Sequence, residues 1–133
     1  MSDAEIEFLD VEDVLEIHQT QLSFFGGLDG VRSMVALEAA VAVPQSSFGG
    51  EHLHADIYEM AAAYAYHIAE SQAFIDGNKR TGLHAALSFL RLNGVLTLDP
   101  EDRLGDAMIQ IAEKRIDKAI LASIFRSLVE PTE

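Results

Sequence analysis

Apolar residues recur at three- and four-residue intervals in six stretches of the chain, separated by clusters of turn-forming residues. Val11, Val14, Leu15, His18 and Leu22 share one face of a first helix that Asp10 can cap. Gly26-Gly27-Leu28-Asp29-Gly30 breaks it. A second helix is predicted near Ser33–Val43, with Met34, Leu37, Glu38 and Val41 along one edge. From Pro44 to His54 no helical period survives, and Phe48-Gly49-Gly50-Glu51 suggests a loop or short hairpin. A third helix, Asp56–Ser71, carries the stripe Ile57, Met60, Ala61, Tyr64, Ala65 and Ile68. A fourth, Asn78–Asn93, carries Leu83, Ala86, Leu87 and Leu90 and closes on Asn93-Gly94, a C-cap pair. Val95–Leu98 is a brief extended segment. Asp99-Pro100 reads as an N-cap followed by proline at the first position of a fifth helix, which holds Leu104, Met108, Ile111 and Ala112. A last helix, Asp117–Val129, sets Ile120, Ile124, Phe125 and Leu128 on one side. The pattern predicts an all-α fold of about six helices around a central hairpin, residues 56–93, with one small β-like flap.

Length and charge narrow the functional classes. At 133 residues a single domain over residues 1–133 is expected, burying roughly two-thirds of its unfolded surface. No apolar run approaches the ~20 residues of a membrane span. The acidic start, Met-Ser-Asp-Ala-Glu-Ile-Glu, is unlike a signal or transit peptide. The chain has no cysteine, which excludes disulfides and thiolate metal sites; a cytoplasmic location is expected. A net charge of −13 argues against nucleic acid as a partner and against anionic membrane surfaces. Two of the cations, Lys79 and Arg80, lie side by side at a turn, and Lys114, Arg115 and Lys118 cluster late. That second cluster is either a solvated helix-end face or a docking patch for an acidic partner.

The candidate chemistry lies between the third and fourth helices, in Phe74-Ile75-Asp76-Gly77-Asn78-Lys79-Arg80-Thr81. Free N–H groups of a first helical turn attract anions, phosphates above all. Gly77 allows close backbone approach, and Lys79 and Arg80 are expected to clamp phosphates, as a mobile point charge and a bidentate fork. Two cations at a helix start oppose its dipole, so an anion is expected to compensate them. Asp76 suits a Mg²⁺ ligand, a hard cation that accepts one or two protein carboxylates, or alternatively an N-cap. Asn78 can orient the loop or cap the helix, and Phe74 is expected to be a buried plug.

Residues 73–81 resemble the active loop of the Fic/Doc (Fido) superfamily, usually His-Pro-Phe-x-Asp/Glu-Gly-Asn-Gly/Lys-Arg. Lys79, with Thr81 after the arginine, points to the death-on-curing (Doc) branch. Gly27–Leu37, Pro44, Phe48–Glu51, Tyr66–Ala69 and Ala86–Gly94 extend the likeness to roughly residues 10–128. The resemblance implies a Fido fold and a toxin of a toxin–antitoxin pair. It implies ATP and Mg²⁺ as cofactors, an antitoxin that folds into a groove near the loop, and a translation factor such as elongation factor Tu as protein substrate. Fic members that transfer AMP have a small residue where Lys79 stands and a second arginine where this chain has Leu83. Both departures favour transfer of the γ-phosphate, as by a protein kinase, over AMP transfer, which stays an alternative. The family histidine, which takes the proton of the attacking hydroxyl, is replaced by Gln72. A carboxamide can hydrogen-bond that hydroxyl but cannot accept its proton, so activity is expected to be impaired or, alternatively, lost to leave a binding protein. The neighbours Ser71 and Ala73 also depart from the usual Asn and Pro.

No other histidine is an obvious substitute. His67 is expected in the core or at a helix end, and His84 should point away from the loop. His52 and His54 could reach the site only across the flap, and His18 is remote in sequence. The self-inhibitory pattern of other Fic proteins, Ser/Thr-x-x-x-Glu-Gly/Asn on a helix, is broken here. Ser47–Glu51 matches its start, but His52 follows and two glycines oppose a helix.

Overall fold

A computed structural model describes residues 6–129, so the acidic start at residues 1–5 lies outside it. Six α-helices are present: α1 (Val11–Phe25), α2 (Met34–Ala42), α3 (Ile57–Ser71), α4 (Asn78–Leu92), α5 (Arg103–Ala112) and α6 (Lys118–Ser127). A two-stranded antiparallel flap, β1 (Ser47–Phe48) and β2 (Glu51–His52), precedes α3. Gly49 and Gly50 turn it with φ of 61° and 84°, the left-handed values a tight two-residue hairpin needs. The all-α expectation with a small flap holds.

Local capping explains most boundaries. Asp10 and Asp13 exchange side chain-to-backbone bonds of 2.9 Å at the start of α1. Ser33, Asp56 and Asp117 each accept an N–H from the first turn of α2, α3 and α6. The end of α4 is a Schellman turn: Val95 N–H donates to Leu90 O and Gly94 N–H to Arg91 O, with Gly94 at φ 86°. The extended segment after it forms one bridge, Thr97 to Val129.

Three sequence expectations are corrected. Helix α5 does not begin at Pro100; it begins at Arg103, after a turn that puts Asp102 in a left-handed conformation. Asp99 still caps it from a distance, accepting N–H groups of Arg103 and Leu104 at 2.8 Å. On α6 the buried face is Leu121, Ala122 and Phe125, while Ile120 is exposed. On α2 it is Leu37, Ala40 and Val41, which leaves Met34 and Glu38 outside.

Helix α3 runs through the middle and packs against α2, α4, α5 and α6. Met60 to Ala65 are buried without interruption, which small side chains permit because neighbouring helices can close in from every side. The closest approach is to α4. A Cβ on Gly82 would lie 2.5 Å from the carbonyl oxygen of Ala65, so only glycine lets these backbones meet. The α3–α4 turn is thereby fixed in position, and the motif occupies it.

Candidate functional site

Loop geometry follows from three sets of bonds. Asn78, buried, pairs its side-chain amide with both backbone groups of Phe74: Phe74 N–H donates to Oδ1 (3.0 Å) and Nδ2 donates to Phe74 O (2.9 Å). Of the two roles left open for Asn78, it is the loop-orienting one. Gly77, at φ 80°, begins α4. The 27–33 segment then lies along the loop: Arg32 and Ser33 N–H donate to Ala73 O, and Ile75 N–H donates to Gly30 O.

Phe74 is fully buried, as expected of a plug, and stacks on His18 at 3.8 Å between ring centroids. His18 Nε2 lies 2.9 Å from Asp76 O; a carbonyl only accepts, so Nε2 carries the proton and donates. Sequence separation hid this role, although a histidine on the apolar stripe of the first helix was its signal.

Gln72, Asp76, Gly77, Asn78, Lys79 and Arg80 all line one cavity of about 540 Å³. Leu83 and the apolar side chains of Met108, Ile109 and Ile111 line it too, with Tyr66 and Glu70 of α3. Lys79 and Arg80 are exposed at this cavity. The Arg80 guanidinium stands 4.4 Å over the Phe25 ring, a cation–π contact. The first backbone bond into α4 is Thr81 N–H to Gly77 O (2.9 Å), which leaves the amides ahead of it for an anion. Gly77 is the exception: its N–H donates to Asp76 Oδ1 at 2.9 Å. Asp76 Oδ2 accepts from Leu28 N–H at 3.2 Å, and a Cβ on Gly27 would meet that oxygen at 2.9 Å.

Gln72 ends α3 in a left-handed conformation, φ 50° and ψ 33°, and its Nε2 donates to Ala69 O at 3.1 Å. Its side chain therefore closes the helix end at the edge of the cavity. None of His52, His54, His67 or His84 lines the cavity. His67 is half-buried where α3 meets α6; Lys118 Nζ donates to its Nε2 at 2.8 Å. Burial first, then the Lys118 ammonium, pushes the His67 imidazole down to about 4 and also lowers His54. The late cations each have a neighbour: Lys114 faces Glu70 (3.9 Å), Arg115 faces Glu113 (3.5 Å), and Lys118 meets His67.

No group of three His, Cys, Asp or Glu side chains forms a metal cage among the described residues. A cation held by one carboxylate and by phosphate oxygens remains compatible with Asp76. No described helix is long and apolar enough to cross a membrane.

Residues 8–90 match the Fic/DOC family. The chain belongs to that family. It is 40% identical over 119 residues to a protein named Toxin Doc of Mycolicibacterium smegmatis, covering 88% of this chain and 89% of that one. It is 33% identical over 122 residues to the protein kinase doc of Escherichia phage P1, covering 92% and 95%. This Fic/Doc protein is thus a homologue of Doc toxins along most of its length.

Proposed function

We propose that this Fic/Doc chain is a Doc-type toxin that transfers the γ-phosphate of ATP to a hydroxyl of a protein, with a translation factor such as elongation factor Tu as the substrate class. The observation that carries the reading is the shared cavity in which Lys79, Arg80 and the first amides of α4 converge beside Asp76. Arg80 and Lys79 would bind and orient the phosphates, and Asn78 would keep the loop in register by holding Phe74. Asp76 would hold Mg²⁺, which supplies charge neutralisation across the phosphates. Its carboxylate would then exchange Gly77 N–H for the ion, freeing that amide for a phosphate oxygen. Leu83 in the cavity wall, where AMP-transferring relatives have arginine, supports γ-phosphate over α-phosphate transfer.

A small antitoxin is the inferred partner. Phe24 and Phe25 at the end of α1, Leu28 in the 27–33 segment and Val35 in α2 are more than 60% exposed, apolar side chains that a partner would cover.

Gln72 favours a second reading, a binding protein without transferase activity, because the carboxamide cannot take a proton. Incubation with ATP, Mg²⁺ and elongation factor Tu separates the two. The natural chain is expected to transfer label from the γ-position and none from the α-position. Gln72→His should raise the rate by up to the ~10²–10⁴-fold that a positioned base contributes. Failure of both chains to label any protein would overturn the phosphoryl-transfer reading.

A further inference from the structure

The cavity lacks an imidazole but includes two carboxylates in its wall, Asp76 and Glu70. They differ in availability. Asp76 uses both oxygens on backbone N–H groups, those of Gly77 and Leu28. Glu70 accepts no hydrogen bond among the described residues, and its ion-pair partner is Lys114 at 3.9 Å, the side chains being 40% and 75% exposed. A pair that long and that open contributes little and opens readily. Tyr66, Ala69 and Glu70 occupy positions i, i+3 and i+4 of α3, and all three line the cavity. Glu70 thus lines the same cavity as the phosphate clamps, from a position two residues before Gln72. Helix stability does not explain it: a carboxylate in the last turn of a helix opposes the dipole.

Building on the phosphoryl-transfer reading above, we propose that Glu70 is the general base of this chain. The acceptor hydroxyl oxygen forms its bond to the γ-phosphorus while its proton passes to the Glu70 carboxylate. The bond between the γ-phosphorus and the β–γ bridging oxygen breaks, and its electron pair leaves with ADP. Gln72 is left a hydrogen-bonding role toward the same hydroxyl. The ionisable groups around it are Lys114 beyond α5, its ion-pair partner, and those that share the cavity: Lys79 and Arg80 on α4, Asp76 in the turn, and Tyr66 one turn earlier on α3.

The test compares four full-length chains with γ-phosphate-labelled ATP: the natural one, Glu70→Gln, Gln72→His, and the double variant. Glu70→Gln is expected to lower kcat of the natural chain about 100-fold and to remove the decline of rate toward acid pH, with the ATP KM held within about threefold. In the Gln72→His background the same change should cost less than about threefold, because histidine then takes the proton. Equal rates for Glu70→Gln and the natural chain would overturn the proposal, as would an equal loss in both backgrounds, which marks a structural role. If the natural chain is inert and Gln72→His transfers phosphate, Glu70 fails as a base while the phosphoryl-transfer reading stands. If neither transfers, both fall.

Discussion

His18 on α1 reaches across 58 sequence positions to the carbonyl of Asp76, its Nε2 at 2.9 Å, while its ring covers Phe74. One side chain thus joins the first helix to two residues of the motif turn. Replacing it with alanine removes a buried stack and a buried hydrogen bond together. His18→Ala should lose about 2–4 kcal/mol of stability, seen as a lower urea midpoint. A midpoint unchanged from the natural chain would show that the turn does not depend on α1.

Asn78 is the second brace. Asn78→Ala leaves the buried N–H and C=O of Phe74 without partners, and should cost about 2–4 kcal/mol. Thermal melts report it. Asn78→Asp should also destabilise, since a carboxylate has no N–H to give Phe74 O.

Lys79 and Arg80 should act on ligand binding with little effect on folding, because both are exposed. Each alanine substitution removes a charge-assisted contact of about 1.5–3 kcal/mol, or on the order of 10- to 100-fold in the Kd for ATP with Mg²⁺. Titration calorimetry decides it; affinities equal to that of the natural chain would remove the clamp.

The α3–α4 contact predicts intolerance at Gly82. Alanine there would gain ~1 kcal/mol of helix propensity, but its Cβ would strike the Ala65 carbonyl at 2.5 Å. Overpacking of this kind costs more than the gain, so Gly82→Ala should be net destabilising by about 1–2 kcal/mol. A rise in Tm would contradict the close approach.

Acid should loosen the α3–α6 contact. His67 is held down at about 4 in the folded chain, against 6.5 ordinarily, by burial and then Lys118. The unfolded chain therefore binds this proton first as pH falls. Stability is intact above about 6.5 and is lost progressively down to about 4. Solvent at this half-exposed site trims the loss to about 1–2 kcal/mol. His67→Gln keeps an acceptor for Lys118 and should flatten the difference in urea midpoint between pH 7 and pH 4.5.

The helices and motif were legible because periodicity and capping chemistry are local. Asp10, Asp56, Asp117 and Gly94 act where the sequence places them. Asp99 misled because its carboxylate spans four and five residues to reach α5, whereas the N-cap rule looks two or three ahead. The α6 stripe was displaced because Ile120 is apolar yet 47% exposed, and hydrophobicity alone does not say which face a neighbour covers. At the site, all six loop residues proved to share one cavity. His18 and Gly82 were missed because each acts through a partner distant in the chain, and a glycine inside a helix reads as weakness until the opposing carbonyl is seen.

The backbone-to-backbone seat of Gly82 on Ala65 also bears on how such a chain can change. With the two backbones in direct contact at that point, the turn they support resists being re-aimed by small shifts in packing. If Glu70 and Gln72 act as proposed, variation at positions 70 and 72 alters proton chemistry while the cavity beside the turn is inherited intact, so architecture and reactivity are free to evolve on separate schedules.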